Sequence, residues 1–222
     1  MKLDAALRLC HLVSPALPIG AYAYSQGLEH AVHAGWVRDE AGTLEWLQGL
    51  SRYSLTTLDL PILLRLHRAW QGGDALAVQS WNAQLLASRE TSELRAEDLH
   101  LGRSLAKVLI ELELPEARDW QATDTTLATM FALAAVRWDI PESETAAGYL
   151  WAWTENQVLA AVKLVPLGQS AGQRLLHHLL PQMPQLVELA ATICDEDISS
   201  STLSQVIGSA AHETQYSRLF RS

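Results

Sequence analysis

The stretch 92-SELRAEDLHLGRSLAKVLIELELP-115 decides the fold. Within it Leu94, Leu101, Leu105, Val108 and Leu112 recur at intervals of seven, four, three and four. Those intervals keep returning to one side of a helix with about 3.6 residues per turn, so they mark a stripe facing a core. Pro115 closes the stripe because proline cannot extend a helix.

Working outward, the same signature repeats. Upstream, Leu3, Leu7 and Cys10 predict one helical stripe ended by Ser14-Pro15. Pro15 and Pro18 force a short extended passage, and Gly20 permits a tight turn. A helix from near Ser25 is expected to bury Leu28, Ala31 and Val32 and to stop at Gly35. Asp39 can cap a helix carrying Leu44, Leu47 and Leu55. Pro61 belongs in the first turn of the next helix, which runs to Gly72-Gly73, and Asp74 caps another with Trp81 and Leu85.

Downstream, Thr123 or Asp124 starts an almost wholly apolar helix through Met130 and Ala134, expected at the centre. Glu142 to Val165 reads as a long helix with Leu150, Trp153, Gln157, Ala160 and Leu164 on one face, ended by Pro166 and Gly168. Shorter helices are expected around Leu175–Leu180, Leu186–Ile193 and Leu203–Ala211. The expectation is an all-α fold, one bundle-like globular domain of roughly ten helices over residues 1–211, followed by a tail over 212–222.

Composition agrees. The chain has 222 residues, a one-domain length, and 39 Leu and 31 Ala make 70 of them strong helix formers. Phe occurs twice and Val and Ile are sparse, which argues against a large sheet. Eight Trp are expected as large anchors whose indole N–H needs a polar partner. The net charge of −9, from 16 basic and 25 acidic residues, disfavours nucleic acid and anionic membranes as partners. Cys10 and Cys194 lie too far apart in sequence to read as a metal pair and are expected as buried, reduced thiols. Met1-Lys2-Leu3-Asp4 does not read as a secretory signal, and the longest apolar run, Leu127 to Val136, falls short of a membrane span. A soluble, cytoplasmic chain is expected.

The common catalytic signatures are missing from the sequence: no GxxxxGK[ST], GxGxxG, GxSxG or HExxH. Glu29 and His33, four apart on one helix, could supply half of a metal site and with it a helical metal-dependent enzyme; the plainer reading is a weak polar pair on a solvated face. Tyr22 and Tyr24 beside the Gly20 turn fit a binding surface or a core plug equally well. At the far end, Tyr216, Leu219 and Phe220 stand beside Arg218 and Arg221. A tail without a partner normally ends polar, and aromatic residues with arginine are what interface hot spots favour. Such a tail either docks on its own body or binds a partner.

Four ordered blocks carry a resemblance. Ser14-Pro15-Ala16-Leu17-Pro18-Ile19-Gly20 with Tyr24-Ser25-Gln26-Gly27-Leu28-Glu29 and Gly35 resembles the N-terminal signature of the urease accessory protein family UreF. Glu90 to Arg95 with Gly102, then Val162 to Gln169, then His212-Glu213 through Tyr216 to Ser222, are similar to its later motifs. The blocks run from residue 14 to 222, so the resemblance covers nearly the whole chain. Ala21 and Ala23 depart from the pattern around the aromatic Tyr22, and the segment Asp124 to Leu127 before Met130-Phe131 lacks a His, which speaks against a metal role for that helix.

The resemblance implies a non-enzymatic, dimeric, all-helical assembly factor. It would bridge a UreD/UreH-type accessory protein and a UreG-type GTPase, which deliver nickel to apo-urease. No cofactor would be tightly bound, and nickel would be handled by the complex. Carried over by motif, Glu29 and Lys163 would face the GTPase. Tyr216, Arg218, Leu219, Phe220 and Arg221 would become ordered against the UreD/UreH-type partner, and Tyr24 and Ser25 would hold the N-terminal turn. A generic helical adaptor unconnected with urease is the remaining reading.

Overall fold

Leu94, Leu101 and Leu105 are buried along one side of helix α6 (Ser92–Glu111), as their spacing predicts; toward its end Leu109 takes over and Val108 and Leu112 are half-buried. The computed structural model describes residues 1–222 and contains no strand. Its α-helices are α1 (Leu3–Leu12), α2 (Leu28–His33), α3 (Glu40–Leu50), α4 (Leu60–Gly72), α5 (Ala75–Ala87), α6, α7 (Arg118–Gln121), α8 (Leu127–Arg137), α9 (Glu142–Leu164), α10 (Gln169–Leu179), α11 (Met183–Thr192) and α12 (Leu203–His212). Ten of these have ten or more residues, so the all-α, single-domain expectation stands. No helix is long and apolar enough to cross a membrane.

Helix α8 is the axis. Met130, Ala132, Leu133, Ala134 and Ala135 are fully buried, and α4, α6, α9, α1 and α5 surround them. It starts later than expected, capped by Thr126, whose Oγ1 accepts the Thr129 amide at 3.3 Å. The earlier candidates are engaged elsewhere: Asp124 pairs with Arg103 at 3.0 Å and Thr123 donates to the Trp120 carbonyl at 3.1 Å. Asp39 and Asp74 cap α3 and α5 as predicted, accepting the amides of Gly42 at 2.9 Å and Ala77 at 3.0 Å.

Two packing details set the site. Gly102 brings α6 against the loop before α8 so closely that a Cβ there would lie 2.0 Å from the Thr125 carbonyl oxygen. Gly27, at φ +84°, lies against α12, where a Cβ would meet the Ser209 amide nitrogen at 2.9 Å. The second contact lets α2 and α12 cross almost backbone to backbone.

Four local expectations are corrected. The α1 stripe of Leu3, Leu7 and Cys10 faces outward, with Leu3 77% and Leu7 62% exposed. The helix instead turns Ala5, Leu9, Leu12 and Val13 to the core, a stripe of equal period and greater apolar bulk. Cys10 and Cys194 are therefore exposed thiols rather than buried ones. The α3 and α4 helices are not separate, because a π-helical segment, Ser51–Asp59, joins them into one rod. Pro61 offers no amide to the Thr57 carbonyl four residues back, and the Ser199 amide bonds that carbonyl instead at 3.1 Å. The indoles find partners only in part: Trp70 donates to the Thr129 carbonyl at 3.0 Å and Trp153 to Gln26 at 2.8 Å, while the Trp46 N–H has none.

Candidate functional site

The first turn of α2 meets the last residues of the chain. Ser25 donates twice to the Ser222 carbonyl oxygen, from its amide at 2.8 Å and its hydroxyl at 2.5 Å, and its Oγ also accepts the Glu29 amide at 3.3 Å. Glu29 is not on a solvated face: it is 8% exposed. Its two oxygens accept the amides of Leu219 at 2.6 Å and Phe220 at 2.8 Å. Carboxylate binding to two successive amides holds a chain by its backbone, whatever its side chains.

Glu29 also meets Nε2 of His212 at 3.1 Å, and Nδ1 of that fully buried ring meets Glu93 at 2.8 Å. Glu93 then accepts from Arg218 at 3.0 Å, which returns the circuit to the tail. Both imidazole nitrogens thus face carboxylate oxygens. Thr91 caps α6 through the Leu94 amide at 3.2 Å and bonds Ser209 of α12 at 2.7 Å, so the Glu90–Arg95 block is the joint that holds Glu93 beside His212.

The Phe220 ring completes a small core with Leu28, Ala31, Val37, Ala160, Ala161 and Val165. Lys163, exposed near the end of α9, places its ammonium 5.6 Å from the Phe220 ring centre and 6.0 Å from that of Tyr22. The two tyrosines divide the readings offered for them: Tyr22 is 64% exposed and Tyr24 is 6% exposed. Burial pushes the Tyr24 hydroxyl up, opposed by hydrogen bonding to Arg221. Arg221 is itself tied down through its amide, which donates to the Ala23 carbonyl at 2.8 Å. Tyr216 and Leu219 stand out into solvent.

The structure thus brings together residues that the resemblance assigned to two faces. Glu29 binds the Leu219 and Phe220 amides and Lys163 lies over the Phe220 ring, with Tyr24, Ser25, Arg218 and Arg221 around them. His33 does not join them; it is exposed and lies toward His30. With the Glu29 oxygens turned inward to the tail and His212, the helical metal-enzyme reading loses its ligand pair, and His, Cys, Asp and Glu form no group of three or more arranged to hold a metal ion.

Sequence reasoning missed His212, Glu93 and Glu97. His212 enters the sequence reading only as part of a motif block with no role of its own, and its partners lie 183 and 119 positions away. Glu97 accepts from Gln26 at 2.7 Å and Ser222 at 3.0 Å, and burial raises it to about 7. Behind it Arg89 is clamped between Asp59 at 2.5 Å and Asp98 at 2.8 Å, and Asp98 also accepts the Leu127 amide at the start of α8 at 2.8 Å.

Comparison with known proteins gives consistent matches. A sequence model described as UreF matches residues 37–180. The chain is 51% identical to the urease accessory protein UreF of Alkalilimnicola ehrlichii, an alignment covering 98% of this chain and 96% of that one. It is 46% identical to that of Hahella chejuensis, covering 98% of each, and 48% identical to that of Azoarcus sp., covering 97% and 95%.

Proposed function

This chain belongs to the UreF family of urease accessory proteins, and from that premise we propose that it is a nickel-insertion scaffold with no catalysis of its own. It bridges a UreD/UreH-type accessory protein and a UreG-type GTPase, and the assembly passes nickel, as cargo, to apo-urease. On this reading the chain works in the cytoplasm as a homodimer.

The observation that carries the proposal is the closure of the Glu29 carboxylate on the Leu219 and Phe220 amides. It ties the residues expected to face the GTPase to those expected to face the UreD/UreH-type partner. A partner that moves the tail must disturb Glu29, and one that engages Glu29 and Lys163 must favour one tail position. That is the differential contact through which two binding sites couple. The exposed group of Tyr22, Lys163, Tyr216, Arg218 and Leu219 has the aromatic and basic make-up of an interface hot spot.

The test is urease activity in nickel-supplied cells carrying the whole urease operon, with and without this gene. Expected is loss of activity at normal apo-urease level, restored by added copies; unchanged activity overturns the proposal. Tyr216→Ala with Leu219→Ala, both at exposed positions, should abolish co-purification with the UreD/UreH-type protein, and Lys163→Ala should weaken recovery of the GTPase.

A further inference from the structure

Glu97 is a buried carboxylate with no cation in contact. It is 5% exposed on the inner side of α6. Oε1 accepts from Gln26 Nε2 at 2.7 Å and Oε2 from Ser222 Oγ at 3.0 Å. Both neighbours are held from behind. Gln26, in a left-handed conformation at φ 52°, accepts the Trp153 indole N–H at 2.8 Å, and the Ser222 carbonyl is held by Ser25. Arg89 lies near, but its guanidinium is committed to Asp59 and Asp98. The carboxyl borders a cavity of about 100 Å³ whose other wall includes Leu12, Leu55 and Phe131. A carboxylate in such a place is disfavoured in its charged form unless water reaches it.

We propose that seating residues 219–222 on the body is coupled to protonation of Glu97, so that docking takes up a proton and release returns it. The proton has one place to go. Gln26 spends its oxygen on Trp153 and must donate to Oε1, so the new O–H bond forms at Oε2 and donates to Ser222 Oγ. When the tail lifts, Ser222 leaves, water enters its place and the carboxyl ionises to solvent. The tail is held more firmly on the acid side of neutrality and loosens as pH rises. This goes beyond the scaffold reading and does not rest on it, since it concerns the chain alone.

Of the other charged or titratable groups lining the cavity, Glu90 is exposed to solvent. Asp98, next on α6, and Asp59 of the π-helical segment hold Arg89, which stays cationic. Tyr24 of the N-terminal turn and Tyr149 of α9 are both pushed up by burial and stay neutral over the range concerned. Arg221 enters with the tail and lies by Tyr24. His212 of α12, between Glu29 and Glu93, meets the tail from the other side, away from Glu97.

The experiment uses the full chain with Cys10→Ser, Cys194→Ser and Tyr216→Cys carrying a fluorescent probe, all three at exposed positions. Probe anisotropy is followed from about pH 5.5 to about pH 8.5. Expected is a fall in anisotropy centred near the raised value of about 7, absent in Glu97→Gln and kept in His212→Gln. A flat parent curve, or an unchanged curve in Glu97→Gln, overturns the proposal. Should Glu97→Gln not fold, the carboxyl carbon of Glu97 is titrated by NMR in the parent and in Phe220→Ala, which loosens the tail without touching Glu97. The midpoint is expected to move from about 7 toward the ordinary 4.5; the same midpoint in both chains overturns it.

Discussion

Glu29 and His212, 183 positions apart, meet at 3.1 Å where α2 crosses α12, and that one contact joins the first motif of the sequence to the last. The crossing is possible because Gly27 and Gly208 bring the two backbones together. The pair is buried, so its members depend on each other more than a surface pair would.

Removing both members should therefore cost less than the sum of the two single removals. Glu29→Ala strands His212 and two amides and is expected to lose about 3 kcal/mol of unfolding free energy in urea. A double-mutant cycle with His212→Ala should return a coupling of about 1–3 kcal/mol. Additive effects would mean that the two do not interact in solution.

Phe220→Ala empties one place in the small core around Leu28 and Ala161. A mid-chain Phe→Ala change removes about 3–5 kcal/mol, but here the tail can detach and leave the body folded. The expected result is loss of hydrogen-exchange protection at the Leu219 and Phe220 amides, with a global melting temperature close to that of the parent.

Gly102→Ala places a methyl group 2.0 Å from the Thr125 carbonyl oxygen. Backbone cannot yield as a side chain can, so α6 must move away from α8. A loss of about 3 kcal/mol is expected, read as a lower urea midpoint. Gly49→Ala, where no neighbouring atom lies within 4 Å of the new Cβ, should not be destabilising and serves as the control.

Glu97 makes stability fall with pH. Its value is raised in the folded chain from 4.5 to about 7, so over that window the folded state binds more protons than the unfolded one. The contribution is fully present below 4.5 and is lost as pH rises through about 7. Glu97→Gln should thus be more stable than the parent above neutrality, by at most on the order of 3 kcal/mol because release of the tail relieves the charged carboxyl, and the advantage should vanish in acid. Equal pH curves for the two chains would contradict the burial effect.

Both thiols should react in the native protein. Two equivalents of a thiol reagent per chain are expected without denaturant, since Cys10 and Cys194 are both exposed. Protection of either would contradict the outward turn of the α1 stripe or the exposure of the segment after α11.

How much of this could be read beforehand depended on range. Caps at Asp39 and Asp74, the central place of the Met130 helix and the long helix from Glu142 follow from residues within a turn or two of each other, and sequence spacing carries such information directly. Helix α1 had two stripes of equal period, and only the bulk of Leu9, Leu12 and Val13 against the core chooses between them. The π-helical segment depends on Ser199 and Ser201 arriving from far along the chain to bond the Thr57 and Tyr53 carbonyls, at 3.1 Å each. At the site, Glu29, Lys163 and the tail residues were visible through motif likeness. Glu97 was not, and Glu93 and His212 stood in those motifs without a role, because a buried polar residue is told from a surface one only by partners that the fold supplies.

The Ser25–Ser222 contact spans 197 positions. During synthesis α2 emerges early, yet Glu29 has no backbone amides to bind and the Leu28–Ala161 core lacks its aromatic ring until residues 219–222 have left the ribosome. Closing so long a loop is slow unless the intervening chain has already folded. The docking face is thus assembled only after residues 219–222 have been made and the body between has folded.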